Sequence, residues 1–278
     1  MHALWAGRWE QHFAGAPTPD GTAVLDETDS GGRAHLALVG TDGRGVEDIG
    51  TIDHPTGAQY TYTAVNARWV AFAYVLTNQQ QAQQRWKLYL YDRQRHTLKV
   101  VAHYQQDASG HPLPSGWVRP ILNEEYLYWI QSAPNTTGWG GSEAEQYTLA
   151  TGRIRTLYRG LTTAMTVYQH ELLFTTLSPN APRPSGNGTA ENPPLQVDAV
   201  DEATGDPVPN PDGMTAGTDS ADTMVSAGDL VVWDTADGRL RAWRPQWETS
   251  ITIVPAFGDT WPAAEELGIT GGPSYPRL

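Results

Sequence analysis

From TAVLDET (22–28) and AHLALVG (34–40) onward, the chain is a succession of short runs in which apolar and polar residues alternate, each beside a turn-forming cluster such as PDG or SGG. Runs of that length and period predict strands rather than helices. Four runs resemble one another: VNARWVAFAYV (65–75), ILNEEYLYWIQ (121–131), TVYQHELLFTT (166–176) and VSAGDLVVWDT (225–235). Each has a polar turn leading into an apolar-aromatic inner strand, which sets Phe72, Trp129, Phe174 and Trp233 at intervals of 57, 45 and 59 residues. A second element recurs in LALVGTDG (36–43), LYLYDRQR (88–95), YTLATGR (147–153) and DAVDEATG (198–205), an alternating strand followed by a polar turn. Short β-prone runs such as TLKVVAH (97–103) and RIRTLYR (153–159) complete a four-stranded antiparallel unit. A sheet with two apolar faces needs cover on both, and stacking successive sheets around an axis supplies it.

The predicted fold is therefore all-β, a β-propeller of four-stranded antiparallel blades forming one domain over residues 1–278. Five blades are expected at about 18–50, 55–105, 112–160, 161–210 and 216–258. Residues 259–278 follow as a tail whose end, GGPSYPRL (271–278), resembles SGWVRPIL (115–122), the approach to the third inner strand. Two readings stay open: the tail starts a sixth blade that is cut short, or it caps a closed five-bladed ring. Helix is scarce. QQQAQQRW (79–86) reads as a polar loop between two strands, and WPAAEELGI (261–269) as one short helix started by Pro262 and ended by Gly268. SPNAPRPSGNGTAENPP (178–194) and PVPNPDGMTAGTDSAD (207–222) read as exposed insertions.

Composition removes several chemistries. The chain has no cysteine, which excludes disulfides, thiolate metal sites and a cysteine nucleophile. A net charge of -13 disfavours a broadly basic nucleic-acid surface. No run approaches a membrane span, and the opening MHALWAGRWEQHF is too short and polar for a signal peptide.

LYLYDRQR, YTLATGR and VVWDTADGRL resemble the WD40-like repeats of TolB-type β-propellers over roughly residues 18–258. Departures are visible: Arg95 and His96 stand where a turn glycine is expected, AWRPQWETS lacks a Thr-Gly turn, and the Gly-His signature of longer WD40 repeats is missing. The resemblance implies a protein or cell-envelope partner and an extracytoplasmic location, and it carries no catalytic residue over.

Candidate chemistry is sparse. Glu124, Glu125, Glu171 and Asp229 occupy equivalent turns before the aromatic strands, where they could converge on a cation or act as a glycosidase acid and nucleophile. The same positions are ordinary hairpin turns that favour polar side chains. Asp26 with Asp29, Asp219 with Asp222, and Asp234 with Asp237 offer clustered oxygens of the kind calcium takes, without EF-hand spacing, and Asx-turn chemistry accounts for them equally. Histidines at 12, 35, 54, 96, 103, 111 and 170 form no local metal motif. Ser115 and Ser142 lie in loop-like segments without a nucleophile elbow. Trp117, Trp139 and Trp243, with Trp247 and Trp261, lie in or near loops and could form a flat platform for a sugar or an anchor for a protein. The expected function is a non-enzymatic, ligand-binding or interaction propeller needing no cofactor; a carbohydrate-active enzyme and a purely structural domain are the alternatives.

Overall fold

A computed structural model describes residues 10–14, 22–28, 32–40, 46–53, 55, 58–76, 85–113, 118–133, 141–160, 162–177, 195–211, 214, 223–234, 239–247 and 249–254. The expectations for 178–194, 259–278 and most of 79–86 lie outside them. The described residues form five four-stranded antiparallel sheets and no helix. The sheets are β1 (Glu10–Ala14) to β4 (Val46–Asp53), through β2 (Thr22–Thr28) and β3 (Arg33–Gly40); and β5 (Gln59–Val65) to β8 (Thr97–His103), through β6 (Trp69–Val75) and β7 (Trp86–Asp92). The third comprises β9 (Ile121–Leu122), β10 (Tyr126–Ser132), β11 (Ser142–Thr148) and β12 (Ile154–Gly160). The fourth has β13 (Thr162–Tyr168), β14 (Glu171–Leu177), β15 (Leu195–Asp201) and β16 (Pro207–Val208). The fifth has β17 (Met224–Ala227), β18 (Leu230–Asp234), β19 (Leu240–Trp243) and β20 (Ile251–Val254). Each sheet pairs its strands in chain order.

The aromatic runs are the second strands of their sheets. The preceding strands, QYTYTAV in β5 and TTAMTVY in β13, mix Thr with aromatic residues and lack a continuous apolar run. In the segment 207–222, expected as an exposed insertion, Pro207, Pro209 and Asn210 are exposed, residues 207–208 form β16 and Met214 is buried; 212, 213 and 215–222 lie outside the described residues.

The chain divides into two compact units, Met1–Gly160 and Leu161–Leu278. In the first, β6 explains the packing. Its seven residues are all buried because neighbouring sheets cover both faces. Val70, Phe72 and Tyr74 meet Leu36, Leu38 and Ile49 of the first sheet, while Trp69, Ala71 and Val75 join Leu127, Trp129 and Tyr147 of the third. Period two thus makes one strand serve two cores. In the second unit, Tyr168, Leu173 and Ala199 pack on Val231, Trp233 and Trp243.

The turns repeat as closely as the strands. Asn66 Oδ1 accepts from the amides of Arg68 and Trp69 at 2.9 and 2.7 Å, and Asn123 Oδ1 does the same for Glu125 and Tyr126 at 3.0 and 2.8 Å. Asn66 Nδ2 then donates to the Asn123 carbonyl at 2.8 Å, tying the second sheet to the third. The turns after β11 and β15 each place a glycine, Gly152 and Gly205, at positive φ, with its amide bonded at 2.8 Å to the carbonyl of Thr148 and Asp201 respectively. After β7 the equivalent position is His96, which adopts φ 51° itself.

Candidate functional site

The turns joining first to second and third to fourth strands lie at one end of each sheet, since the strands are antiparallel. At this end the side chains are engaged with one another. Backbone bonds of 2.9 Å join the two turns in three sheets, from Arg93 N to Arg68 O, Leu149 N to Glu125 O and Glu202 N to His170 O. Side chains join in: Arg68 pairs with Asp92 at 3.3 Å, His170 Nδ1 lies 2.7 Å from Glu202 Oε1, and in the fifth sheet Arg244 pairs with Asp229 at 3.6 Å. Burial penalises the charged form of Asp92, yet the hydrogen bonds from Arg68 and from the Arg95 and Gln94 amides outweigh it and hold the carboxyl below its ordinary range.

The candidate acids are part of this framework. Glu124 and Glu125 are exposed in the turn that Asn123 holds. Glu171 opens β14 directly opposite Asp201, and burial together with that neighbouring charge raises its pKa. Asp229 accepts a hydrogen bond from Gln246 at 3.1 Å and faces Arg244. Glu124 and Glu125 belong to the first unit, Glu171 and Asp229 to the second.

Trp243 departs from expectation. It is 2% exposed, because it is the last residue of β19 and faces the fourth sheet, where its ring meets Tyr168 edge-on at 5.5 Å. It is a core residue and cannot serve as a surface platform. Trp117, Trp139 and Trp261 lie outside the described residues. Trp247 is half-buried under the Arg244 guanidinium. Among the clustered aspartates, Asp234 accepts from the Thr223 amide at 2.7 Å. Histidines at 35, 96, 103, 111 and 170 enter separate local contacts, and the described residues contain no group of three or more His, Cys, Asp or Glu arranged to hold a metal.

The most unusual polar arrangement was not anticipated. Glu143 and Glu145, at alternate positions of β11, point to the face shared with Trp129 and Gln131 and are 6% and 4% exposed. Trp129 Nε1 donates to Gln131 Oε1 at 3.0 Å, and Gln131 Nε2 to Glu143 Oε2 at 3.4 Å. Arg159 Nε lies 3.1 Å from Glu143 Oε1, and Thr156 Oγ1 donates to Glu145 Oε1 at 2.9 Å. Burial raises the pKa of Glu145 and the neighbouring Glu143 adds to the rise, outweighing the lowering effect of the Thr156 hydrogen bond and of Arg159. A like charge held this close to a buried carboxyl disfavours the charged form of Glu145. In the sequence, the cue is SEAEQYT on a third strand, where both faces are covered and an acid at alternate positions has nowhere to reach water.

An open depression of about 570 Å³ lies elsewhere, lined by Glu47, Asp48, Ile49, Gly50 and His96. There Tyr91 Oη donates to the Asp48 carbonyl at 2.9 Å, and burial first, then Glu47, pushes its pKa up to about 12.

No protein-family profile matches the chain, and no curated protein does. Solved structures match it in fold. An oligogalacturonate lyase in complex with manganese superposes with a TM-score of 0.57 at 12% identity, over 94% of this chain and 69% of that one. The Pyrococcus horikoshii acylaminoacyl peptidase gives 0.53 at 9% identity, over 86% of this chain and 38% of that one. TolB from Acinetobacter baumannii gives 0.46 at 13% identity over 90% of this chain, which spans about half of it, 55%. At these identities the likeness is one of fold, the repeated four-stranded sheets of β-propeller proteins.

Proposed function

We propose that this chain is a non-enzymatic binding module that engages a protein or cell-envelope component through the end of its sheets opposite the tight turns. The observation that carries this reading is an asymmetry of connection length in the second, third and fourth sheets. One end has the turns 66–68, 93–96, 123–125, 149–153, 169–170 and 202–206, whereas the other joins second to third strands through 76–85, 133–141 and 178–194. Rigid sheets carrying long connections at one end are the usual platform for recognition. At the tight-turn end Arg68 with Asp92, His170 with Glu202, and Arg244 with Asp229 are already engaged with one another, while Glu124 and Glu125 are exposed.

Glycoside chemistry finds no support in the described acids. Glycosidase carboxylates stand about 5–5.5 Å or 6.5–9.5 Å apart and open to a sugar or a water, whereas Glu143 and Glu145 are buried and bonded to Arg159 and Thr156. An extracytoplasmic location accompanies the binding reading and is tested by fractionating the source cells.

The binding test uses the immobilised chain and a solubilised envelope fraction. A discrete protein should be retained, and its retention should fall at least about tenfold, roughly 1.4 kcal/mol, when residues 178–194 are replaced by a Gly-Ser linker. Glu124→Gln with Glu125→Gln should leave retention unchanged. Loss of retention through those turn variants but not through the linker would place the surface at the wrong end.

A further inference from the structure

We propose that Glu143 and Glu145 form a proton-operated latch that fixes β11 to the edge strand β12: while they share a proton the edge is held, and losing it loosens the strand pairing. Four observations converge here. The carboxylates are buried at alternate positions on a single face of β11. Each is also bonded to β12, Glu143 to Arg159 and Glu145 to Thr156, so the pair bridges the two strands. The β11–β12 register is irregular between Ala144 and Glu145, at the pair itself. A bulge already interrupts the ladder, so side chains supply more of the local cohesion there. Finally, β12 is the last strand of its sheet and pairs on one side alone.

With one proton, the pair carries a single negative charge, which the Arg159 guanidinium offsets. Removing the proton leaves two buried carboxylates at alternate positions of one strand, in a medium that solvates charge poorly, and they repel. Among the described residues, the other charged groups of the second sheet do not relieve it by direct contact. Lys99 Nζ, from the second sheet, donates to Tyr147 Oη at 2.6 Å. Arg85 lies over the Tyr104 ring at 5.9 Å, and His103, opposite Lys87, is on the other face of the second sheet. The strain is instead relieved by separating the carboxylates at the bulge, which draws Thr156 and Arg159 out of register. The latch works on β11 and β12 whatever the protein binds.

The sign follows from the direction of the shift. The proton on Glu145 is held more tightly in the folded than in the unfolded chain, so its contribution is complete below the ordinary value of 4.5 and is lost as pH rises through the raised value.

Amide hydrogen exchange of the full chain tests this between pH 5 and 8, with rates corrected for intrinsic exchange. Protection of residues 154–160 should fall with rising pH by up to about tenfold per unit relative to 97–103, the equivalent edge strand of the second sheet. Glu145→Gln should abolish that slope, as should Glu143→Gln, and the infrared band of a protonated buried carboxyl should vanish in both. Should either variant fold poorly, the wild-type slope and band decide. A flat wild-type ratio, no protonated-carboxyl band, or a slope that survives in a folded Glu145→Gln chain would each overturn the latch.

Discussion

Left-handed turn positions show how single residues are fitted to this repeat. Gly152 and Gly205 take φ 75° and 80°, conformations that cost an L side chain, and His96 takes φ 51° in the equivalent turn. His96 has local compensation: its Nδ1 lies 3.1 Å from Tyr91 Oη and 3.7 Å from Glu47 Oε1. The sequence flags the missing glycine but not the contacts that offset it, since Glu47 and Tyr91 come from different sheets. Gly152 lacks such freedom to change. A Cβ there would stand 3.2 Å from Tyr147 Oη, the oxygen that accepts from Lys99. Gly110, at φ 81°, has nothing within 4 Å of that position and serves as the comparison. Gly110→Ala should cost about 1 kcal/mol from the backbone alone, and Gly152→Ala about 1–2 kcal/mol because Tyr147 must also shift. Denaturant unfolding distinguishes them. Equal losses would mean that the Tyr147 contact yields freely.

At the scale of strands, burial follows position within the sheet more than residue type. Trp243→Ala should destabilise the second unit by about 3–5 kcal/mol, since it empties a site walled by Tyr168 and Val231. Glu124→Gln, in a turn already held by Asn123, should stay within about 0.5 kcal/mol. Thermal unfolding of the two variants checks both, and a neutral Trp243→Ala would contradict its place in the core. The same rule explains what could be read from the sequence. Second strands were plain because cover on both faces demands apolar residues without interruption, as in Trp69–Val75. Phe72, Trp129, Phe174 and Trp233 align in sequence because all four sit in second strands and are at most 1% exposed. First strands were not plain, because Thr and Tyr suit many settings. Trp243 looked like a loop residue beside Arg244 and Pro245, although inward alternation from Arg241 puts it in the core. Glu143 and Glu145 escaped notice because an alternating acidic strand reads as solvent-facing until its neighbours are known.

Charge divides the whole molecule unevenly. Residues 161–278 carry sixteen acids and five arginines, a balance of -11, whereas 1–160 carry fifteen acids against thirteen bases, a balance of -2. That split coincides with the two compact units. Self-repulsion opposes compactness, so its burden falls on the second unit, where Glu171 faces Asp201 across a strand pair and Asp229 lies near Tyr168. Screening should relieve it selectively. Raising NaCl from about 10 mM to about 0.5 M shortens the screening length from about 30 Å to a few ångströms, so exchange protection should rise more in β13–β20 than in β1–β12. Mild acid should act in the same direction at Glu171. Its pKa is raised by burial and by Asp201, so its stabilising protonation is complete below the ordinary 4.5 and lost as pH rises through the raised value. Glu171→Gln should therefore reduce both the salt response and the acid response of the second unit while leaving the first unchanged. Equal salt responses in the two units would show that the charge imbalance does not govern their relative stability.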